Sequence, residues 1–238
     1  MSQTSEKLLE IYQLLYEAFG PQYWWPGETQ IEIAVGAILT QNTSWSNVKK
    51  AITNLQNADC LSAEKLFELP NERLAELIKP AGYYNIKTKR LKNFINWFIN
   101  DYSGDFKLLE DVNTNRLREE LLSINGVGRE TADSILLYAL ERPVFVIDAY
   151  TNRITQRHHL SDPEADYEQL RDLFESNVAW ASSPCLHGQD GHATNTCQLY
   201  NEFHALIVRA GYLYCKPKPK CDQCPLNKLP HSINIDYY

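Results

Sequence analysis

The sequence has 238 residues, of which 44% are apolar and 22% charged, and its formal net charge is −7 at pH 7. This length and apolar fraction allow one large or two modest domains with a hydrophobic core. No apolar run approaches the roughly 18 residues that a membrane span needs. The six cysteines are scattered unevenly, which excludes the disulfide framework of a small secreted domain.

The first 20 residues predict an amphipathic helix with acidic residues, unlike the charged, apolar and small-residue order of a signal peptide. We therefore expect a cytoplasmic protein. The acidic net charge argues weakly against a nucleic-acid partner. The basic residues are nevertheless clustered, four in the run 86–92 and three in the run 216–220, and each run is either a solvated face or a surface for phosphates.

Helical periodicity dominates the chain and is interrupted by short breaks, such as those at Pro80 and Gly82. Leu and Ile prevail, Gly numbers only 10, and no β-type alternation recurs, so we predict an all-α fold. The segment 29–41 opens with a threonine cap and is apolar on most faces, as a buried central helix is. We predict helices over residues 5–19, 29–41, 44–56, 62–70, 71–80, 85–102, 115–124, 129–141, 166–180 and 196–211.

Two glycines, Gly126 and Gly128, lie between two of these predicted helices. Glycine permits a tight turn and lets backbone N–H groups approach a ligand closely. The second helix begins at Arg129 and Glu130, where free N–H groups and the positive end of the helix dipole suit a phosphate. The turn is therefore either a site for a phosphate backbone or an ordinary helical hairpin whose glycines serve packing.

A single carboxylate, Asp148, follows the strand-like apolar run 144–147. Burying an acid without a partner is costly, so this position calls for a physical reason. Asp148 can be the N-cap of a helix over 149–157, and it can act in catalysis. The two roles are compatible, because a cap also fixes the direction in which the carboxylate points.

The segments "LLSINGVGRETADSILLYA" and "VFVIDAYTNRI" together resemble the helix-hairpin-helix and Gly/Pro-rich-loop-plus-Asp signature of the endonuclease III superfamily of DNA repair glycosylases. The segments "GAILTQNTSWSNVKKAI" and "PAGYYNIKTKRLKNF" and the cysteine-bearing tail extend the resemblance over most of the chain. The resemblance implies that Asp148 is the catalytic residue. A carboxylate near the anomeric carbon stabilises an oxocarbenium-like transition state and can orient a water molecule.

The resemblance also gives a meaning to Glu130. In bifunctional members of the superfamily, a lysine two residues after the second hairpin glycine attacks the sugar and forms an imine. A carboxylate cannot form an imine, so the resemblance implies a monofunctional glycosylase that leaves an intact abasic site. "GVGRETA" is similar to the pattern of bacterial 3-methyladenine DNA glycosylases. The alternative for Glu130 is a solvated first-turn residue that the helix dipole favours.

A group of aromatic residues strengthens the resemblance to the 3-methyladenine DNA glycosylases. The resemblance implies that these residues form the base pocket: Trp24, Trp25, Pro26 and Trp45. An alkylated purine is cationic, and an indole face attracts a cation by roughly 1–2 kcal/mol when both are desolvated. A flipped base must be held once it leaves the stack. The alternative is that these tryptophans belong to the core. The resemblance makes Gln41 a candidate to fill the hole in the duplex or to contact the DNA backbone.

The cysteine tail resembles the [4Fe–4S] loop of the superfamily, in which four cysteines hold the cluster. Three cysteines match: Cys215, Cys221 and Cys224. The fourth is replaced by Pro230, so either His231 or Cys197 completes the ligand set, or the cluster is lost, with zinc as a further alternative. The resemblance assigns contacts with DNA phosphates to the basic residues between the first two cysteines, namely Lys216, Lys218 and Lys220.

The loop 185–197 brings together four residues with metal-binding side chains: Cys185, His187, His192 and Cys197. Their spacings match no tight ligand pair, so we interpret this segment as an exposed loop.

The resemblance implies two lobes, a central helical domain over 27–138 with the hairpin and a second lobe from 1–26 plus 139–238. It implies a nucleoid-associated monomer that binds damaged double-stranded DNA, with the lesion in the cleft between the lobes. One alternative is a superfamily glycosylase for an oxidised pyrimidine or a mismatched base, against which the missing lysine counts. The other is a non-catalytic DNA-binding protein, against which Asp148 counts.

Overall fold

The structure is a computed structural model that describes residues 2–178 and 196–233. Every regular element in these ranges is helical, which confirms the predicted all-α class. In the same ranges, we find no helix with the length and apolar character to span a membrane. The chain divides into two compact units, residues 25–142 and residues 1–24 together with 143–238.

The described residues form twelve α-helices. In chain order they are α1 (Gln3–Phe19), α2 (Gln30–Leu39), α3 (Trp45–Asn57), α4 (Ala63–Glu68), α5 (Asn71–Leu77), α6 (Tyr84–Tyr102), α7 (Lys107–Glu110), α8 (Thr114–Ser123), α9 (Arg129–Ser134), α10 (Ala149–Arg157), α11 (Tyr167–Asn177) and α12 (Thr196–Leu213). A 3-10 turn (Lys79–Ala81) precedes α6, and a π-helical turn (Ile135–Ala139) continues α9.

Helix α2 is the buried helix of the unit 25–142. The Thr29 side chain caps it by accepting a hydrogen bond from the Glu32 N–H at 3.3 Å. All residues from Ala34 to Leu39 are buried, as the apolar character on most faces predicts. The helix packs against α3, α6, α9 and the π-helical turn.

The predicted helix 129–141 changes its hydrogen bonding halfway. The N–H of Leu140 reaches back five residues to the carbonyl of Ile135 at 3.1 Å, which is the π-helical pattern. This wider turn carries the Tyr138 side chain, which is almost completely buried. Periodicity in the sequence predicts the helix but not the extra residue in the turn.

Two lysines of the basic run 86–92, Lys87 and Lys92, donate hydrogen bonds within the unit. Lys87 is only 1% exposed, and its ammonium group donates to the carbonyls of Leu39 (2.9 Å) and Ala81 (2.7 Å). Burial, followed by the charge of Arg90, lowers the pKa of Lys87 to about 8. Lys92 donates to backbone carbonyls of α4, so most of the run stabilises the unit from within.

The unit formed by residues 1–24 and 143–238 has an aromatic core. The rings of Phe145 and Phe174 stack with centroids 4.1 Å apart, and Phe203 of α12 meets both rings edge-on. Tyr12 of α1 meets Phe203 in the same way at 5.4 Å. These contacts hold α1, α11 and α12 together around the segment that leads to Asp148.

The apolar run 144–147 is extended and buried but pairs with no strand in the described residues. Side chains satisfy its backbone instead. The N–H of Phe145 donates to the Glu175 carboxylate at 2.9 Å, and the N–H of Ile147 donates to the Tyr167 hydroxyl at 3.4 Å. The strand-like pattern of this run therefore corresponds to a buried connection that leads into α10.

Candidate active site

Asp148 is the N-cap of α10, as the sequence predicts. Its Oδ1 accepts hydrogen bonds from the N–H of Thr151 (2.7 Å) and from the Thr151 hydroxyl (2.8 Å). The side chain is 12% exposed, although the four residues before it are buried. Oδ2 accepts no hydrogen bond from the described residues, so this oxygen is available to a substrate.

A buried histidine lies behind this carboxylate. His204 of α12 is 5% exposed, and its Nε2 lies 3.9 Å from Oδ1 of Asp148. Burial lowers the pKa of His204 and the neighbouring carboxylate opposes that shift, with burial the larger effect. The sequence shows only one histidine on an apolar helix face, and sequence reasoning did not select it.

Close packing fixes the distance between α10 and α12. A Cβ atom at Gly211 of α12 would lie 2.4 Å from Cδ1 of Tyr150, so only glycine fits there. Arg153 of α10 donates from Nε to the carbonyl of Cys215 at 2.6 Å, just beyond the end of α12. The two helices therefore hold Asp148 and His204 at a defined separation.

The turn between α8 and α9 needs glycine at one position and leaves space at the other. Gly126 has φ +99°, and a Cβ atom there would lie 2.2 Å from Cγ of Arg90. Gly128 is the N-cap of α9, and a Cβ atom there would meet nothing within 4 Å. Gly126 is thus required by the turn itself, whereas the backbone at Gly128 is open to a ligand.

Gln41, two residues beyond the end of α2, stabilises this turn. Its side-chain amide donates to the carbonyl of Gly126 (3.0 Å) and to Oγ1 of Thr131 (2.9 Å), and its oxygen accepts from Arg90. The predicted contact of Gln41 with DNA stays a prediction, and it would require these bonds to open.

A buried ion pair holds the two hairpin helices together. Arg118 of α8 donates two parallel hydrogen bonds, from Nε (2.6 Å) and Nη2 (3.0 Å), to the two carboxylate oxygens of Asp133 in α9. Asp133 is fully buried. Sequence reasoning did not select this pair, because nothing local distinguishes its members from solvated helix residues.

Arg129 and Glu130 are exposed in the first turn of α9. An acidic residue there interacts favourably with the helix dipole, as the alternative for Glu130 requires. The exposed position is equally compatible with a role at a DNA surface.

The aromatic residues of the predicted base pocket include one close cluster. The rings of Trp25 and Trp45 meet edge to face with centroids 5.0 Å apart at 83°, and Trp25 also contacts Tyr138 at 5.0 Å. Both indoles are half-buried, and Pro26 beside them is exposed. Trp24 is half-buried and belongs to the unit that contains Asp148. Tyr138 is the member of the cluster that sequence reasoning missed.

Arginine stabilises the cysteine tail. The buried Arg157 donates from Nη1 to Sγ of Cys215 (3.1 Å) and to the carbonyl of Lys216 (2.8 Å). Its own carbonyl accepts from the N–H of Ser232 at 2.9 Å, which ties the end of the tail to α10.

The donors of the tail do not fit a four-thiolate cluster. The three predicted cysteines and His231 line one cavity of about 20 Å³, which is room for a single water molecule. Burial raises the pKa of Cys221 and of Cys224. In the part of the chain that the structure describes, no three His, Cys, Asp or Glu side chains converge on a metal position.

The tail lysines are exposed, as a role in phosphate binding requires: Lys216, Lys218 and Lys220. The loop 185–197 lies outside the described residues except for its last two positions, where Cys197 is half-buried in α12.

The all-α fold, the GxG turn between α8 and α9 and the aspartate that caps α10 agree with the resemblance to base-excision DNA glycosylases. The sequence matches the profile of the HhH-GPD superfamily of base excision DNA repair proteins over residues 35–179. The chain is a member of this superfamily.

Two relatives are similar over most of their length. A chain from Methanocaldococcus jannaschii, named as a candidate DNA repair glycosylase, is 44% identical over 225 residues, which cover 94% of this chain and 96% of that one. Endonuclease III of Thermotoga maritima is 25% identical, with 81% of this chain and 78% of that protein covered.

Two solved structures are similar over most of their length. The H. pylori 3-methyladenine DNA glycosylase bound to 1,N6-ethenoadenine matches with a TM-score of 0.76 and 32% identity, covering 89% of this chain and 98% of that one. An endonuclease III–DNA complex matches with a TM-score of 0.75 and covers 96% of both chains. At 18% identity, the second likeness concerns the fold alone.

Proposed function

We propose that this protein is a monofunctional DNA N-glycosylase that removes alkylated purines, such as 3-methyladenine, from damaged double-stranded DNA. The observation that carries the proposal is the Asp148 carboxylate, which is capped through Oδ1 and open at Oδ2. The 32% identity with the H. pylori 3-methyladenine glycosylase supports the substrate class.

Asp148 acts on the sugar. As the N-glycosidic bond breaks, its electron pair leaves with the base and positive charge develops on the anomeric carbon and the ring oxygen. The Oδ2 atom stabilises that charge and orients the water, whose oxygen adds to the anomeric carbon and whose proton passes to the Asp148 carboxylate. An alkylated purine is already cationic, so it leaves as a neutral base and needs no general acid.

The aromatic cluster holds the flipped base. Because Trp25 and Trp45 meet edge to face, a base that stacks on one indole face meets the edge of the other ring. A cationic base gains roughly 1–2 kcal/mol from a desolvated indole face, which an undamaged neutral purine does not. The ring of Tyr138 contacts Trp25 and fixes the tilt of its indole.

The absence of strand cleavage follows from Glu130. Borohydride reduces an imine between enzyme and sugar to a stable cross-link, and we expect no cross-link with the wild-type protein because a carboxylate forms no imine. Glu130→Lys is the matched gain-of-function variant, since it restores an amine at this exposed position. A wild-type cross-link would refute monofunctional chemistry.

A panel of duplexes tests the substrate class. Each duplex carries one lesion, which is a methylated purine, an oxidised pyrimidine, or a thymine or uracil mismatch, and we expect base release from the first alone. We expect the oxidised pyrimidine and the mismatches to stay intact. Release of either would support the alternative of another superfamily substrate, and binding to all duplexes without any release would support a non-catalytic DNA-binding protein.

We propose that the hairpin turn and the tail lysines bind DNA phosphates and that the protein acts as a monomer. Each phosphate that a protein neutralises adds about −0.9 to the slope of log affinity against log salt. Replacing the three tail lysines by glutamine should therefore make the slope shallower by about 0.9 for each phosphate that they bind. An unchanged slope would remove these lysines from the interface.

We propose that base release requires no iron–sulfur cluster. The hydrogen bonds from Arg157 support the tail, and no step above passes through a metal. Metal analysis of protein purified without oxygen, together with release assays after chelation, tests this point. About four iron atoms per chain, with activity lost on their removal, would contradict it.

A further inference from the structure

We infer that His204 is a positioning residue for the Asp148 carboxylate, whose Oδ1 it fixes so that Oδ2 faces the reacting sugar. The inference rests on the proposed function, in which Asp148 acts on the glycosidic bond. It adds a residue from α12, more than fifty positions away in the sequence, to the site.

The geometry places three groups around a single oxygen. The N–H and the hydroxyl of Thr151 donate to Oδ1 at 2.7 and 2.8 Å, and the imidazole Nε2 of His204 lies 3.9 Å from the same atom. Thr151 lies on α10 and His204 on α12, so the oxygen is held from two helices. The contact between Gly211 and Tyr150 fixes the spacing of these helices.

The surroundings of His204 explain why its polarity matters. Its ring meets the Phe145 ring edge-on at 6.3 Å, and its neighbours Phe203, Ala205 and Leu206 on α12 are buried. A leucine would fill this space without the cost of burying a polar ring. The Asp148 carboxylate is a polar group that the imidazole meets in these surroundings.

Burial keeps the imidazole neutral, so it carries one ring hydrogen. In the tautomer that carries this hydrogen on Nε2, the N–H bond dipole points at Oδ1 and attracts the carboxylate. At 3.9 Å the contact is longer than a hydrogen bond, and His204 acts as a dipole and as a steric stop.

The consequence is a carboxylate with two different oxygens. A partial rotation about the Cβ–Cγ bond would break both bonds from Thr151 and turn Oδ1 away from the imidazole. Misplacing a reacting atom by about 1 Å can cost up to 10²-fold in rate. His204 should therefore affect the chemical step more than DNA binding.

The test compares His204→Leu, which removes the dipole, with His204→Gln, whose amide nitrogen can replace Nε2. We measure single-turnover release of base from methylated duplex DNA, together with the Kd for the same DNA. We expect His204→Leu to release base about 10-fold more slowly at unchanged Kd, and His204→Gln to recover to within about 3-fold of wild type. A wild-type rate for His204→Leu, or equal losses in both variants, would overturn the inference.

Phe203→Leu is the control for a purely structural effect. Phe203 is buried next to His204 on α12 but directs its ring towards Tyr12 and Phe174. We expect this variant to lower the melting temperature while the release rate of the folded protein stays at the wild-type value. An equal loss of rate in Phe203→Leu would reduce His204 to a packing residue and overturn the inference.

A second readout does not depend on activity. Crystal structures of the wild-type protein and of His204→Leu compare the side-chain torsion of Asp148. We expect one carboxylate orientation in the wild type and a rotated or divided orientation in His204→Leu. The same single orientation in both would overturn the positioning role, whereas a wild type that releases no base from any duplex would refute the proposed function alone.

Discussion

Two carboxylates, one in each unit, show how the same side chain serves stability in one place and chemistry in another. Asp133 is fully buried, and both of its oxygens accept hydrogen bonds from Arg118. Asp148 is 12% exposed, and its hydrogen bonds from Thr151 fall on one oxygen. A carboxylate whose oxygens are both occupied can only stabilise the fold, whereas one with an open oxygen can act on a substrate.

The largest expected effect comes from the open carboxylate. Asparagine caps a helix as well as aspartate does, so Asp148→Asn should keep the free energy of unfolding within about 1 kcal/mol of wild type. It loses the negative charge, and we expect single-turnover base release to fall by at least about 10³-fold while DNA binding is retained. Undiminished release would show that Asp148 is only a cap.

Replacing Asp133, whose two oxygens both accept hydrogen bonds, should give the opposite result. Asp133→Asn leaves the Arg118 charge buried without its partner, which should lower the free energy of unfolding by about 3 kcal/mol. The release rate of the folded protein should change little. Denaturant unfolding measures the first quantity, and the double variant Asp133→Leu with Arg118→Met should regain part of the loss, because it removes both charges.

The two glycines of the hairpin turn allow a similar comparison between a position that the fold requires and one that it leaves open. Gly126→Ala forces a side chain into a left-handed conformation and against Arg90, so it should cost about 1–3 kcal/mol and weaken DNA binding by displacing the turn. Gly128→Ala is the control for stability, since its Cβ meets open space in the free protein. Equal unfolding free energies for the two variants would show that Arg90 and Gln41 do not hold the turn.

The last effect depends on pH and concerns Lys87, another buried charge, whose ammonium group donates to two backbone carbonyls. Its pKa is lowered to about 8 by burial, so between pH 8 and the ordinary value of 10.5 the unfolded chain binds more protons than the folded one. Stability from this group should therefore rise by about 1–3 kcal/mol as the pH rises through that window.

The control for Lys87 is its exposed neighbour Lys89. We compare the pH dependence of unfolding in Lys87→Met and Lys89→Met with that of wild type. Only Lys87→Met should lose the rise above pH 8. A retained rise would mean that the Lys87 ammonium is accessible to water.

Much of the fold could be predicted from the sequence because its signals are local. The threonine cap of α2, the apolar faces and the breaks at Pro80 and Gly82 each report on neighbouring residues, and the predicted helices agree with the structure to within a few positions. The cap role of Asp148 was predictable for the same reason.

The features that could not be predicted depend on contacts between residues that are distant in the sequence. His204 and Tyr138 look like core residues until α12 and the π-helical turn bring them to Asp148 and Trp25. The basic run 86–92 looks like a surface patch, yet Lys87 is buried because two helix ends require a donor there. Periodicity predicts which face of a helix is buried, but it cannot predict which polar groups meet there.

The most direct test of the central claim is chromatography of the free bases that the purified protein releases from methylated duplex DNA, with the strands checked on a denaturing gel. We predict release of 3-methyladenine from strands that remain intact. If the DNA is bound and no methylated base appears, or if the strands are cut at the abasic site, the assignment of a monofunctional alkylpurine glycosylase is contradicted.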